Sequence, residues 1–581
     1  MSAAVPAETH ERRLVAVLTL AGVVARFWAF GRLGLTHFDE GIYAISGLWA
    51  VAPRGLSALD AGVVPYAPPG FPVVVGLAYG LLGVSDSAAI LSAAVFGVAA
   101  VPLAGWVGRR TFGPGAGVAA AAFAAFSVAA IAFSRKALTD IPFLVCWLLA
   151  MGAAARFLER PGCARAIVLG LTVGLAQYFK YNGWLAGAVT MIAAFAGPVA
   201  NPGDRKRAAL VRTFGFGLLG ACVAAVVYAP WYLFVERHGG YSALLRHQRS
   251  YLGDAASWLP HWELQLAQAH ALSGAPFFPI VAWAVAWSSA CWTAGATPRS
   301  TRRAGRYVAG LVLGSLLLGA VTSLPWWIGL GAWLWLLRRK EPAHRVLGAS
   351  WLVLSVLTPF YHPYARLWLP LHAAGWILVA GVTAKLAVWQ ATGLPEQPWL
   401  FATHRTRVVV LGSMFSIVLA ATAQTLILRP VVLPISWVFQ PAPSLREATA
   451  TLAPVDVPES RRPTFVVLAR RPLAFYLNQA RQRVTLAEGV KALLGPTRAD
   501  TRAIVDEVLL AQDGDVPRAV TDLERFWMVE ERFVDELDPV TLLDIDPGAA
   551  YRPHPKRRFF VWRLAPIGAA GGRPPAGDVH E

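Results

Sequence analysis

Long apolar runs alternate with short, arginine-rich polar breaks along the chain as far as about residue 430. Each run holds about 15–25 residues, and a helix needs about 20 apolar residues to cross the hydrocarbon core of a bilayer. Because only helices and closed barrels satisfy their backbone groups in lipid, the pattern predicts a polytopic α-helical membrane protein with about thirteen transmembrane helices. The predicted spans are residues 14–30, 87–108, 114–133, 141–157, 165–179, 183–199, 210–234, 274–296, 306–323, 324–337, 346–361, 366–386 and 407–428.

The apolar segment at 69–83 is rich in Gly and Pro and too short for a span. If it does not cross, most Arg and Lys residues of the short loops fall on one side, among them Arg109, Arg110, Arg338 and Arg339. The side rich in basic residues is cytoplasmic by the positive-inside rule. We therefore predict a juxtamembrane or re-entrant helix at 69–83 on the outer face of the cytoplasmic membrane.

Composition supports a membrane protein and argues against nucleic-acid binding as the reason for the positive net charge. The 581 residues are 56% hydrophobic and 15% charged, whereas soluble proteins carry about 25% charged residues. The net charge of +18 would suggest a nucleic-acid partner in a soluble protein, but here the basic residues follow the loops, and no nucleic-acid partner is predicted. The four cysteines show neither C-x-x-C nor paired spacing, which argues against a disulfide framework or a cysteine metal site.

The chain changes character after the last predicted span. Residues 1–430 form the predicted membrane domain, and 440–567 have mixed charge, Pro breaks and candidate strands at 464–469, 526–530 and 558–564. We predict a compact α/β domain there, outside the cytoplasm because thirteen spans that start inside end outside. The final 568–581 are predicted to be disordered.

One segment of this second domain is predicted to be helical. In residues 501–511 the apolar Val505, Val508 and Leu509 recur at a spacing that places them on one face of a helix. The domain shows no His/Asp/Ser or metal-ligand spacing, so we expect either a shielding cap or a role in acceptor binding beside the active-site cavity.

Two acidic clusters lie on the predicted outer face. Asp39 and Glu40 follow the first span directly, and Asp140 begins a later span just after Arg135 and Lys136. Each cluster also has a structural interpretation. Asp39 and Glu40 can be an acidic pair that interacts with the dipole at the start of a helix. Asp140 can be the N-cap of the next span, and Arg135 and Lys136 can anchor the chain to lipid headgroups.

Three further clusters lie on the same face. They are the turn Tyr66 to Pro69, the short loop of Lys180 and Tyr181, and the loop that carries Tyr361, His362, Tyr364 and Arg366. Each again has a structural alternative. The turn can simply initiate a helix, Lys180 can extend its side chain to the lipid headgroups, and the tyrosines of the last loop can form an interfacial aromatic belt. Together, however, the clusters offer carboxylates for acid–base work and cations for an anion at the membrane boundary. An anionic substrate with a lipid tail fits that arrangement.

Four motifs occur in order along the chain: FDEGIYA, Y-x-P-P, SRKALTDIP and FKYNG. Together they resemble those of the GT-C glycosyltransferases of family 39, which include bacterial relatives of dolichyl-phosphate-mannose–protein mannosyltransferases and the aminoarabinose transferases of lipid A. The resemblance covers about residues 10–385. It implies a GT-C membrane fold and an enzyme that uses a polyprenyl-phosphate-linked sugar outside the cytoplasm.

The resemblance also implies roles for residues. Asp39 matches the first-loop aspartate that is essential in the family and is the candidate catalytic base, with Glu40 in support and Asp140 placed to orient the acceptor or a sugar hydroxyl. Candidate phosphate-binding cations are Lys180, Arg366, Arg135 and Lys136. Candidate residues of the donor-lipid cavity are Tyr66, Pro68, Pro69, Tyr181, Tyr361 and His362.

Two positions depart from the family pattern. Many relatives have a charged residue beside Y-x-P-P, whereas the stretch from Tyr66 to Gly70 has none, and His362 stands where relatives usually have an aromatic residue. No ligand cluster requires a metal, although a divalent cation such as Mg²⁺ or Mn²⁺ could bridge a carboxylate and the phosphate. The sequence therefore predicts no required cofactor.

The main alternative function is a lipid or glycan transporter or flippase. Such proteins place ionisable residues near the bilayer midplane, whereas Arg26 is the only basic residue well inside a predicted span. Sugar transfer from a polyprenyl phosphate to a protein, lipid or glycan acceptor, with inversion of the anomeric centre, is the favoured hypothesis.

Overall fold

The structure is a computed structural model and describes most of the chain. Tyr66, the predicted span at 407–428 and the predicted tail at 568–581 lie outside the described residues. The described residues are 4–48, 51, 67–196, 204–273, 277–293, 301–320, 324–392, 445–453, 462–468, 471–487, 493, 500–509, 523, 526–536, 539–545, 547–551 and 558–567.

Helices form the first part of the described chain. In order, α1 to α17 are Ala4–Phe27, Phe38–Gly47, Gly70–Leu82, Asp86–Phe112, Ala116–Phe126, Val128–Ser134, Asp140–Glu159, Cys163–Phe179, Leu185–Phe195, Asp204–Arg237, Gly240–Arg249, Trp258–Ala271, Phe277–Thr293, Thr301–Ala320, Leu324–Leu337, Pro342–Leu357 and Leu369–Thr392.

The membrane character of this part is confirmed. Among the described residues, five helical segments are long and apolar enough to cross a bilayer: Thr9–Arg32, Asp86–Phe112, Asp140–Glu159, Val211–Arg237 and Ala365–Val388. The predicted spans at 165–179, 183–199, 274–296, 306–323, 324–337 and 346–361 also coincide with helices, several of them short. The chain is thus a multi-pass membrane protein, and the number thirteen stays a prediction.

The predicted single span at 114–133 is instead two helices, α5 and α6, that meet at 56°. Ser127 at the junction accepts a hydrogen bond from the backbone N–H of Ala130 and so begins α6. The buried guanidinium of Arg26 donates to the carbonyl oxygens of Ala124 (3.1 Å) and Ala125 (3.3 Å) at the end of α5. The basic residue inside the first span therefore satisfies backbone groups that the bend leaves without helical partners.

Both ends of the short helix α3 lie on the same side of the molecule. A Cβ on Gly70, its first residue, would stand 2.6 Å from the carbonyl oxygen of Tyr178, beside the Lys180 turn. Just beyond its other end, the carbonyl of Val84 accepts a hydrogen bond from Gln479 of the C-terminal domain. Helix α3 therefore runs along one face of the membrane part, which is the arrangement that the charge distribution of the loops requires.

The C-terminal domain contains a five-stranded mixed sheet in the order β2-β1-β3-β5-β4. The strands β1 to β5 are Thr464–Leu468, Arg483–Leu486, Thr501–Leu509, Trp527–Glu536 and Arg558–Pro566. Strand β1 pairs in parallel with β2 and β3, and β5 is antiparallel to both β3 and β4. Helices Leu445–Leu452, Arg471–Gln479 and Pro539–Ile545 accompany the sheet. The predicted α/β architecture is confirmed.

The predicted helix at 501–511 is wrong, because Thr501–Leu509 is the central strand β3. Ile504 packs into the large core shared with the membrane part, while Ala503 and Val505 pack into a separate core on the other face of the sheet. Since both faces of β3 are covered, its apolar residues do not alternate with polar ones and can be mistaken for a helical face.

The C-terminal domain docks on α2 and on the start of α4. The buried carboxylate of Asp86 pairs with Arg446 and accepts a hydrogen bond of 2.7 Å from the hydroxyl of Tyr476. That hydroxyl in turn accepts a bond of 2.8 Å from the backbone N–H of Leu35. Three segments that are distant in sequence are thus joined beside the first acidic cluster.

Candidate active site

The first acidic cluster forms the first turn of α2, where two adjacent carboxylates have different surroundings. His37 is the N-cap, and its Nδ1 accepts a hydrogen bond of 3.0 Å from the backbone N–H of Asp39. Glu40 is fully buried, and its carboxylate accepts backbone N–H bonds from Thr36 (2.9 Å), His37 (2.8 Å) and Ala137 (2.8 Å). Glu40 therefore belongs to a capping box and has a structural role, whereas the side chain of Asp39 is 30% exposed.

The second acidic residue lies where two helix ends meet. Asp140 is in the first turn of α7, and its Oδ1 lies 2.5 Å from the Nζ of Lys180, which follows the end of α8. The hydroxyl of Thr139 donates to the carbonyl of Phe179 at 2.8 Å and fixes the two turns together. Asp140 is buried, so its carboxylate is held by a cation rather than by water.

Arg366 is the centre of the cluster. It lies in the 3-10 turn Ala365–Trp368 before α17, and its Nη1 is 2.7 Å from Oδ2 of Asp39 and 3.8 Å from Oδ2 of Asp140. Its Nε is 3.1 Å from Oδ2 of Asp544, in the C-terminal domain. One guanidinium thus draws together carboxylates from the first loop, the start of α7 and the second domain.

The C-terminal domain contributes two residues that the sequence did not reveal. Helix Pro539–Ile545 places Asp544 against Arg366 and Thr541 against Lys136, whose Nζ donates to the Thr541 hydroxyl at 3.1 Å. The hydroxyls of Thr541 and Thr36 lie 3.3 Å apart. Neither residue belongs to a motif, and only the docking of the domain brings them to the site.

Asp544 lies in surroundings that oppose its charge. Burial raises the pKa of Asp544 from 3.8 to about 7, although Arg366 opposes the shift. The Nε2 of His37 lies 3.5 Å from its carboxylate. Because Nδ1 of His37 accepts the bond from the N–H of Asp39, a neutral His37 carries its proton on Nε2, which faces Asp544.

The predicted phosphate-binding cations divide into two groups. Lys180 and Arg366 pair with site carboxylates, and Lys136 donates to Thr36 at 2.8 Å and lies 3.8 Å from Glu40. Arg135 points elsewhere: its Nη1 donates to the carbonyl oxygens of Arg26 (3.1 Å) and Trp28 (2.6 Å) at the end of α1.

The predicted cavity residues form part of the surroundings. Tyr361 stacks on Tyr251 at 5.7 Å between ring centroids and bonds Gln248 at 3.0 Å, while the N–H of His362 donates to the carbonyl of Tyr251. Burial lowers the pKa of His362, and nearby His261 and Arg366 lower it further. The ring of Tyr364 lies under Arg366 at 5.0 Å.

Two other predicted cavity positions are described. The hydroxyl of Tyr181 accepts a bond of 3.2 Å from the indole of Trp231, within a separate aromatic cluster on α10 and α11. Pro68 is buried and Pro69 is the N-cap of α3. These residues frame the approach to the Lys180 turn rather than the carboxylate cluster itself.

The assembled site can accept a proton and hold an anion. Its carboxylates can act as a base or bind hydroxyl groups, and its cations can bind phosphate oxygens through charge-assisted hydrogen bonds. Within the described part of the chain, no group of three or more His, Cys, Asp or Glu side chains is arranged to hold a metal ion.

Comparisons with known proteins agree with the motifs. Residues 66–234 match the profile of the family described as dolichyl-phosphate-mannose-protein mannosyltransferase. No curated protein matches the chain in a sequence search.

Comparison with solved structures gives the fold. The ArnT protein from Cupriavidus metallidurans, bound to undecaprenyl phosphate, matches with a TM-score of 0.51 and 14% identity, over 96% of this chain and 98% of that one. The Archaeoglobus fulgidus oligosaccharyltransferase in its apo form matches with a TM-score of 0.48 and 13% identity, over 86% of this chain and 69% of that one. The chain thus has an ArnT-like fold along nearly its whole length.

Proposed function

We propose that this chain is a membrane glycosyltransferase of the dolichyl-phosphate-mannose-protein mannosyltransferase family and that it transfers a sugar from a polyprenyl phosphate to a hydroxyl of a protein, lipid or glycan. The family resemblance predicted from the motifs is confirmed by the match over residues 66–234. Transfer takes place at the outer face of the cytoplasmic membrane. Support for the lipid donor comes from the clustered cations and from the undecaprenyl phosphate bound in the ArnT structure with the same fold.

The exposure of Asp39 is the observation that carries the mechanism. Its side chain is 30% exposed, whereas those of Asp140 and Asp544 are 1% exposed and that of Glu40 is fully buried. Among the carboxylates of this cluster, Asp39 is therefore the one that an acceptor hydroxyl can reach. Arg366 holds it at 2.7 Å, so the base is oriented before the substrate arrives.

The transfer is a single displacement. Asp39 takes the proton of the acceptor hydroxyl as its oxygen forms a bond to the anomeric carbon, and the bond from that carbon to the phosphate oxygen breaks. The leaving phosphate takes the electron pair, and Lys180, whose side chain is 17% exposed at the edge of the cluster, stabilises its charge. Attack opposite the leaving group inverts the anomeric centre.

Protein cations supply the positive charge that the departing phosphate needs. Lys180 and Arg366 lie on the two sides of Asp140. Asp140, paired with Lys180 through Oδ1 and 3.8 Å from Nη1 of Arg366 through Oδ2, holds the two cations beside each other.

The proposal is tested by Asp39→Asn in membranes supplied with a labelled polyprenyl-phosphate sugar. Transfer should fall by about 10²-fold or more, the range expected for loss of a general base. Glu159→Gln is the matched control, because it neutralises an ion-paired carboxylate at the far end of α7 and should leave transfer unchanged. Full activity in Asp39→Asn, or transfer with retention of configuration, would contradict the mechanism.

A further inference from the structure

Asp544 is a carboxylate of the C-terminal domain that is buried in the membrane part's polar site. Its Oδ2 lies 3.1 Å from Nε of Arg366, while Nη1 of the same guanidinium holds Asp39. We propose that Asp544 is a positioning residue for sugar transfer, which fixes Arg366 and through it the catalytic base, so that the C-terminal domain completes the active site. This inference rests on the proposed function.

The geometry of the guanidinium supports the role. Arg366 is planar, and contacts at Nε and Nη1 lie at different points of its edge. A single carboxylate at Nη1 would leave the plane free to turn about that contact, whereas a second negative charge 3.1 Å from Nε opposes that turn by ion pairing, without a hydrogen bond. Asp544 therefore determines where Nη1 presents the carboxylate of Asp39.

Helix Pro539–Ile545 is itself attached to the membrane part. The side chain of Gln268 on α12 donates to the carbonyl of Leu543 at 3.1 Å, and Thr541 accepts from Lys136 at 3.1 Å. Two contacts with the membrane part thus hold the residues that precede Asp544 on this helix. Such fixed support is what a positioning residue requires.

Docking of the domain gives no separate reason for this carboxylate. Asp86, Arg446 and Tyr476 already join the domain to α4, and burying a further carboxylate costs free energy that an apolar residue would avoid. Both oxygens of Asp544 are buried without a hydrogen bond. Packing of the domain alone thus gives no reason for a carboxylate at this position, whereas its ion pair with Arg366 does.

The test compares Asp544→Asn with Glu530→Gln in the full-length protein. Asparagine keeps the size of the side chain and removes its charge, and Glu530 is an ion-paired carboxylate on the sheet of the same domain. We expect Asp544→Asn to lower kcat on the order of 10²-fold, the cost of a misplaced catalytic group, with KM for the lipid donor nearly unchanged. Glu530→Gln should behave as the wild type.

Limited proteolysis and thermal melting in detergent separate positioning from loss of the domain. Asp544→Asn should keep the wild-type fragment pattern and should melt no earlier than the wild type. Wild-type kcat in Asp544→Asn would overturn the inference while leaving the proposed function intact, and so would a loss of kcat accompanied by a displaced, protease-sensitive domain. An inactive wild type in the same assay would instead refute the proposed function.

Discussion

At the residue scale, neighbouring carboxylates of one turn have separate tasks. Glu40 accepts three backbone hydrogen bonds and builds the turn, while the side chain of Asp39 is partly exposed and pairs with Arg366. Of this pair, Glu40 has the structural role, and Asp39 is left as the proposed catalytic base. The FDEG motif therefore contains a residue that the fold requires, Glu40, next to the proposed catalytic base, Asp39.

Replacing Glu40 should damage stability before chemistry. In Glu40→Gln an amide NH₂ must face N–H donors of the turn, and loss of this buried charge should destabilise the protein by about 3 kcal/mol. The measurement is the apparent melting temperature in detergent beside Asp39→Asn, which should melt like the wild type. Equal melting of Glu40→Gln and the wild type would show that the buried hydrogen bonds carry no stability.

The raised pKa of Asp544 predicts a pH-dependent stability. Between pH 3.8 and about 7 the folded protein keeps a proton that the unfolded chain has lost, so the free energy of unfolding falls as pH rises through this window. Asp544→Asn has no group that titrates in this way, so its free energy of unfolding does not fall for this reason as pH rises. Its advantage in melting temperature over the wild type should grow from pH 5 to pH 8, and a constant difference would contradict the assignment. The charged and titratable groups that face Asp544 are His37, Asp39, Lys136, Asp140, Tyr364 and Arg366.

At the scale of elements, the contact between α2 and helix Arg471–Gln479 decides how closely the domains approach. Gly41 of α2 lies directly against the second helix, and a Cβ built there would stand 2.1 Å from the backbone nitrogen of Pro472. The backbone of Pro472 cannot move away from an added Cβ as the end of a flexible side chain could. The glycine of the FDEG motif is therefore required by docking of the C-terminal domain.

Gly41→Ala should loosen that docking and cost about 1–3 kcal/mol, the range for overpacking. The readout is the rate at which protease releases the C-terminal domain from the detergent-solubilised protein. Gly187→Ala is the matched control, since a Cβ on this helical glycine meets nothing within 4 Å. Equal release rates in the two variants would refute the close contact.

At the scale of the molecule, the active site and the C-terminal domain share one face, and arginine-rich turns occupy the other. Helix α7 begins at Asp140 and ends near Glu159, which pairs with Arg110, while Arg109 pairs with Glu11 near the start of α1. From the positive-inside rule we therefore expect the site outside the cytoplasm.

Cysteine labelling in intact cells tests this orientation. Cys163 is exposed at the first position of α8, so in a Cys222→Ala background a membrane-impermeant maleimide should modify it only after permeabilisation. A Glu447→Cys variant that also carries Cys163→Ala should react in intact cells, because residue 447 is exposed on the C-terminal domain. The opposite pattern would place the active site in the cytoplasm.

The sequence by itself determined the membrane class, the positions of most helices and the residues gathered on one face. These features depend on local apolar runs, on loop charge and on motifs that each lie within a few residues. It also indicated that Asp39, Asp140, Lys180 and Arg366 share a site, since they lie at ends of predicted spans on the same side.

Tertiary structure alone decided how those residues divide their tasks. Glu40 and Asp39 differ in burial, which only the folded chain sets. The carbonyl groups at the bend near Ser127 are bonded by Arg26 from another helix. Residues 501–509 form a strand because strands pair with them on both sides. Asp544 and Thr541 enter the site only through docking, and Thr541 meets Thr36 across 505 positions of the chain. Contacts of that separation leave no periodicity in the sequence, because they depend on the packing of whole domains and not on the neighbouring residues.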